Sequence, residues 1–329
     1  MTRASRLIDN FGRQHRYLRI SVTDRCNLRC FYCMPHEGIE WLKKDKLLNF
    51  DEIERVARVF VALGIEKIRL TGGEPLVRQE LPKLIEKLSS IKGLKCLSMT
   101  TNALLLEKYA EAIRPGITHL NISLDSLRAE RFARITGRDS FIPVMQGIEK
   151  ALAVGFPSIK LNVVVISGVN DDEILDFMAF AEDKPVNVRF IEFMPFKNNE
   201  WNIDKVFTFK DMLAKIETKY KLEALETEPS AVAKDFKIEG AIGSVSFVTS
   251  MSESFCGNCN RMRMTSDGSL KSCLFSPAET NIRDAIRDGA TDKDIEEMIL
   301  YSLNQKPEAH PPAAEIAAGE NRAMIEIGG

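Results

Sequence analysis

Tyr17-Leu-Arg-Ile-Ser-Val-Thr-Asp-Arg-Cys-Asn-Leu-Arg-Cys-Phe-Tyr-Cys33 begins as a strand-like run and closes on three thiols, spaced four and then three residues apart. A zinc site asks for four tetrahedral ligands, usually in CxxC pairs. Three cysteines packed this closely suit three corners of a cubane iron–sulfur cluster, because thiolates are the soft ligands iron prefers. Cys26, Cys30 and Cys33 therefore form a candidate metal triad, with a structural zinc role as the alternative. The fourth iron has no protein ligand nearby in sequence. An open metal position is what a catalytic site keeps and a structural site closes.

Outward from this motif, strands and helices alternate. Strand-like runs are expected at 17–23, 67–70, 94–99, 118–124, 159–166 and 186–194, each followed by apolar residues at helical spacing. Six such units predict an α/β fold, a partial (β/α)6 TIM-like barrel, with a doubly wound open sheet as the alternative. The polar clusters Thr71-Gly-Gly-Glu-Pro75, Thr100-Thr-Asn102, Ser123-Leu-Asp-Ser126 and Glu192-Phe-Met-Pro195 all follow strands. That is the edge on which such folds build their sites. Beyond Val206 the alternation stops. The spacing predicts a helix at 209–220, short β segments at 233–239 and 242–248, helices at 281–287 and 292–304, and a Pro/Ala/Gly-rich tail. The expected division is a barrel over 1–220 and a smaller C-terminal domain of short strands and helices over 221–329.

The C-terminal part holds a second triad, Cys256, Cys259 and Cys273, spaced CxxC-x13-C. A zinc ribbon short of one ligand is the alternative; His310 is remote in sequence and Cys96 lies within a barrel strand. Three ligands again imply a cluster with one free iron, and a second open iron suggests direct binding of substrate. Buried parallel strands normally read as apolar runs, yet Arg19, Arg69, Lys160 and Arg189 each interrupt one. Like charges converging without a counter-charge are costly, so a polyanionic small molecule inside the barrel is expected. Arg261 and Arg263 add guanidiniums suited to phosphate.

Composition sets the class. The chain has 329 residues, 44% hydrophobic and 28% charged, with a net charge of −2, which gives no general reason to expect nucleic acid or an anionic membrane as partner. The first residues lack the apolar stretch of a signal peptide and no 18-residue apolar run occurs. Seven cysteines without an export signal point to metal ligation in a reducing compartment, the cytoplasm by default. Monomer and homodimer both remain open.

The chain resembles the GTP 3′,8-cyclase family of molybdenum-cofactor biosynthesis, within the radical S-adenosylmethionine (SAM) superfamily. The resemblance rests on CxxxCxxC, Arg-Leu-Thr-Gly-Gly-Glu-Pro, Thr-Thr-Asn, Asn-Ile-Ser-Leu-Asp-Ser, Arg-Phe-Ile-Glu-Phe-Met, Phe-Cys-x-x-Cys-Asn-Arg-Met-Arg and the terminal Gly-Gly. It implies two 4Fe-4S clusters, one on each triad, and SAM contacts from Tyr32, Gly73, Ser123 and Met194. It further implies GTP contacts from Arg19, Arg69, Thr100, Lys160, Arg189 and Arg261-Met262-Arg263, with Arg261, Arg263, Gly328 and Gly329 assisting turnover. By the same resemblance, a 5′-deoxyadenosyl radical removes hydrogen from C3′ of GTP, and that carbon bonds to C8 of the guanine. A reductase and the enzyme that takes the product onward are implied partners. One departure is Ala103, where the family usually has glycine after Thr-Thr-Asn. The rival readings are a peptide-modifying two-cluster radical enzyme and a zinc-bearing binding module.

Overall fold

Side chains alternate along β1 (Tyr17–Ser21), so Leu18 and Ile20 face a helix layer with no exposure while Tyr17, Arg19 and Ser21 face inward. The same parity recurs on β2 (Lys67–Thr71), β3 (Cys96–Thr101), β4 (His119–Ser123), β5 (Ile159–Val165) and β6 (Asn187–Glu192). These six strands are parallel and adjacent in chain order, as the alternation predicts. The computed structural model describes residues 7–34, 40–276, 279–319 and 322–328.

Later strands complete the sheet from both sides. β7 (Leu222–Ala224), β8 (Ala233–Ile238) and β9 (Ser244–Val248) join beyond β6, and β9 runs parallel to it. β10 (Arg261–Met264), β11 (Ser269–Lys271) and β12 (Thr280–Asn281) join at β1, with β10 parallel to it. The twelve-stranded order is β12-β11-β10-β1-β2-β3-β4-β5-β6-β9-β8-β7, open at both edges. The short C-terminal strands are thus present, but they extend the barrel sheet and build no sheet of their own. Long-range pairing of this kind leaves no periodicity signal.

The outer layer comprises α1 (Phe50–Ala62), α2 (Leu81–Ser89), α3 (Leu106–Ile113), α4 (Ala129–Thr136), α5 (Phe141–Val154) and α6 (Ile174–Phe180). α1 starts on a reciprocal cap, with Asn49 Oδ1 accepting from Glu52 N and the Glu52 carboxylate accepting from Asn49 N. Its apolar face buries Ile53, Val56 and Phe60 at 0% exposure. Deleting the Phe60 ring removes contacts that the sheet cannot refill. Phe60→Ala is expected to cost about 3–5 kcal/mol in urea denaturation; a loss below about 1 kcal/mol would show that α1 is held by something else. α7 (Phe209–Glu217), α8 (Ile282–Arg287), α9 (Asp292–Asn304), α10 (Ala313–Ala318) and α11 (Met324–Ile327) complete the described helices. Among the described residues no helix is long and apolar enough to cross a membrane.

Candidate active site

The first cysteine loop leaves β1 at the C-terminal end of the sheet and is held by its neighbours' backbones. Arg29 N donates to Thr136 O at 2.7 Å, and Phe31 N donates to Ile135 O at 3.1 Å. Gly73 and Glu74 lie against the start of the loop, through Gly73 N to Thr23 O and Glu74 N to Arg25 O, both 2.8 Å. A Cβ on Gly73 would sit 2.4 Å from Arg25 O, so only glycine permits this approach. The Glu74 carboxylate accepts from Asn102 N at 2.6 Å and Thr101 Oγ1 at 2.8 Å, and Asn102 Nδ2 reaches Asn27 Oδ1 at 2.8 Å. Tyr32 OH donates to Asp125 Oδ2. The motifs that are scattered in sequence therefore enclose Cys26, Cys30 and Cys33. Burial pushes Cys26 up to about 11, with Glu74 adding to it, and holds Cys30 and Cys33 above the usual thiol range beside Asp125. Burial also raises Asp125 to about 6 and Glu74 to about 7.

The second triad lies at the other end of the strands. Arg261 pairs with Tyr17, the first residue of β1, and Cys259 precedes it by two residues. Four residues of strand span roughly 13 Å, which separates this level from the Ser21 end. Burial raises Cys259, but the charges of Arg261 and Lys306 outweigh it and bring the thiol down to about 6. Cys256 likewise falls to about 7 against burial, chiefly through His310. His310, remote in sequence, thus bonds Cys256 in the fold. A histidine therefore does lie near this triad, contrary to the expectation from its distance along the sequence. Arg13 fixes the approach of that segment, donating to Cys256 O at 2.8 Å, Pro307 O at 2.7 Å and Glu308 O at 2.6 Å.

Between the triads is a cavity of about 830 Å³ that all six cysteines line. Among the described residues no three His, Cys, Asp or Glu side chains crowd a single-ion position; the thiols are spread over the wall of one chamber. A TIM barrel fills its interior with branched apolar residues. Here the inward residues are polar, and registered pairing sorts them into levels. Arg263, Arg19, Arg69 and Ser98 stand side by side, and the next level runs Ser21, Thr71, Thr100, Asn121, Lys160. Above them Ser123, Asn162 and Arg189 are aligned. Among the described residues Arg69, Lys160, Arg189, Arg261 and Arg263 form no ion pair with a carboxylate. Burial and Arg189 lower Lys160 to about 8; burial and Arg69 lower Arg189 to about 10; burial and Arg261 lower Arg263 to about 10. A chamber in which these buried cations have no carboxylate partner is suited to receive an anion.

The profile of the Radical SAM superfamily matches residues 20–181, and that of Molybdenum Cofactor Synthesis C matches residues 186–312. The chain is 47% identical over 325 residues to "GTP 3',8-cyclase, mitochondrial" of Arabidopsis thaliana, covering 98% of this chain and 83% of that protein. It is 46% identical to the GTP 3',8-cyclase of Geobacter sulfurreducens, covering 98% and 99%. The chain belongs to the GTP 3′,8-cyclase family. The human relative, Molybdenum cofactor biosynthesis protein 1, is 46% identical, and the chain spans 51% of its length. The fold is shared with Streptococcus suis SuiB bound to its precursor peptide SuiA, at a TM-score of 0.61 and 15% identity, covering 97% of this chain and 72% of that one. It is shared also with anSMEcpe with bound AdoMet, at 0.58 and 17%, covering 89% and 81%. Membership brings SAM and iron–sulfur chemistry, and the two sets of three thiols facing one chamber fit such groups.

Of the residues expected from the family pattern, Arg19, Tyr32, Arg69, Gly73, Thr100, Ser123, Lys160, Arg189, Met194, Arg261 and Arg263 line the chamber. Met262 does not. It alternates to the other face of β10 and is fully buried in the core, so its side chain is not available to substrate. Gly328 lies beside the Ser21 level, its carbonyl accepting from Arg263 Nη1 at 3.3 Å; Gly329 falls outside the described residues. Ala103 is held at φ +63, a left-handed conformation in which glycine would be relaxed. Tyr17, Asn121, Asn162, Lys306 and His310 also line the chamber and were not read from the sequence. For three of them the signal was present: Tyr17, Asn121 and Asn162 each stand two residues from Arg19, Ser123 and Lys160, on the same face of their strands. Lys306 and His310 carried no such signal.

Proposed function

We propose that this chain is a radical SAM GTP 3′,8-cyclase, which joins C3′ of GTP to C8 of its guanine to give 3′,8-cyclo-7,8-dihydro-GTP. This is the first step of molybdenum-cofactor biosynthesis. The observation that carries the reading is one cationic chamber lined at opposite ends of the strands by two cysteine triads. In this reading Cys26, Cys30 and Cys33 hold one 4Fe-4S cluster, and Cys256, Cys259 and Cys273 hold a second. Bound at the first triad, cluster and SAM supply one-electron hydrogen abstraction at C3′. The chain's own part is placement. Tyr32, Gly73, Ser123 and Met194 hold SAM; Arg19, Arg69, Lys160 and Arg189 neutralise the triphosphate; Thr100, Arg261 and Arg263 orient the nucleoside. Burial of the chamber excludes water from the open-shell centre.

Seven free thiols suit a reducing compartment such as the cytoplasm, and a reductase supplies the electron. Anaerobic incubation with SAM, reductant and GTP is expected to yield 5′-deoxyadenosine and the cyclised nucleotide. No nucleotide product above the GTP-free background would sink the reading. The cluster count is checked separately. Replacing Cys256, Cys259 and Cys273 together with alanine is expected to halve the iron bound, from about eight to about four per chain, and leave SAM binding intact. An unchanged iron content would remove the second cluster.

A further inference from the structure

Asn121 is the most conspicuous polar group of the chamber without an assigned task. It is fully buried on the inward face of β4, and both amide atoms, Nδ2 and Oδ1, lack any hydrogen-bond partner. Burying a carboxamide in that state is costly unless a ligand satisfies it. Its registered neighbours are Thr100, whose Oγ1 is also buried and unpartnered, and Lys160. Its height is equally defined. Ser98, Arg69, Arg19 and Arg263 form the level nearer the strand starts, and Ser123 lies two residues nearer the first cysteine loop.

The chemistry of the two orphan atoms narrows the ligand. A carboxamide offers two N–H donors and one acceptor oxygen. Phosphate oxygens accept only, so a phosphate would satisfy Nδ2 and leave Oδ1 facing an anion. A guanidinium or ammonium group would satisfy Oδ1 alone. A sugar hydroxyl both donates and accepts, and it satisfies both atoms. On the reading proposed above, the ribose must lie between the arginine level of Arg19 and Arg69 and Ser123 on the SAM side of the chamber, which is the level of Asn121, Thr100 and Lys160.

We propose that Asn121, supported by Thr100, grips the ribose 2′-hydroxyl of the nucleotide and makes the site selective for ribonucleotides over 2′-deoxyribonucleotides. The inference rests on the nucleotide reading but not on its chemical outcome. A site that leaves buried polar atoms unpaired when a hydroxyl is missing rejects the deoxy analogue strongly, whereas a site without them tolerates it.

The test compares GTP with 2′-deoxy-GTP on the reconstituted protein with SAM bound, by kcat/KM and by anaerobic equilibrium dialysis. The native chain is expected to favour GTP by about 10²-fold or more. Asn121→Ala is expected to shrink that ratio to within about threefold, mainly by losing affinity for GTP while 2′-deoxy-GTP is little changed. Iron content and SAM binding report whether the variant is intact. Asn121→Leu, of similar size but with neither donor nor acceptor, is read in its place if the alanine variant loses its clusters, with the same loss of ratio expected. Equal binding of the two nucleotides by the native chain, or a variant that weakens both equally, overturns the proposal. Dialysis reports the ratio even if GTP binds without being cyclised, so failure of the proposed reaction and failure of this inference give different results.

Discussion

Cys30→Ala is expected to lower SAM cleavage by more than about 10³-fold, to the background of reductant alone, while leaving nucleotide bound in the chamber. Cys30 is the middle thiol of the first triad, and the loop that presents it is fixed by Arg29 N and Phe31 N on either side. No nearby residue can take its place: Asp125 is engaged by Tyr32 OH and by Val164 N at 2.8 Å, and Glu74 by three donors. The cations that would hold the triphosphate lie on other strands and keep their positions. The measurement is 5′-deoxyadenosine by chromatography beside GTP retention by dialysis. Cleavage within tenfold of the native rate would remove Cys30 from the cluster.

Gly328→Ala is expected to reduce cyclisation about 10²-fold, with little change in melting temperature. Gly328 stands at φ +82, and a Cβ there would lie 2.7 Å from Ser21 Cβ and 2.8 Å from Thr71 Oγ1. Backbone strain of about 1–3 kcal/mol adds to a contact with two strand-borne residues that cannot retreat. The tail is anchored upstream by Arg322 to Asp267 at 3.2 Å and to Glu279, and Ile325 and Ile327 are buried. The substitution therefore displaces the last residues and not the whole of α11. Arg263, which lines the chamber, loses its bond to the Gly328 carbonyl. Pairing the change with Ser21→Gly removes the closest contact and should recover part of the rate. Native turnover in Gly328→Ala would show that the tail is a bystander.

The site was legible where chemistry clusters along the chain. CxxxCxxC, GGEP and CxxC-x13-C are local patterns, and charges that interrupt apolar strands announce a polar interior wherever they occur. The six parallel strands were legible for the same reason, since each carries its own alternation and each ends in a polar turn. The positive φ of Ala103 was foreshadowed by the glycine that usually follows Thr-Thr-Asn in the family.

What depended on long-range pairing was not legible. Strand β10 has four residues and no periodicity of its own. Only its pairing to β1 aligns Arg263 with Arg19 and turns Met262 away. His310 and Lys306 reach the second triad because Arg13, nearly three hundred residues earlier in the chain, binds the carbonyls of residues 307 and 308. The level of Asn121, between that of Arg19 and Arg69 and that of Ser123, exists only in the register of neighbouring strands. The sequence by itself determined which residues are candidate ligands and which charges need a counter-ion, because these are properties of side-chain type and local spacing. Only the tertiary structure decided which of them share a chamber and at what height, because that is set by hydrogen-bonded register between segments far apart in the chain.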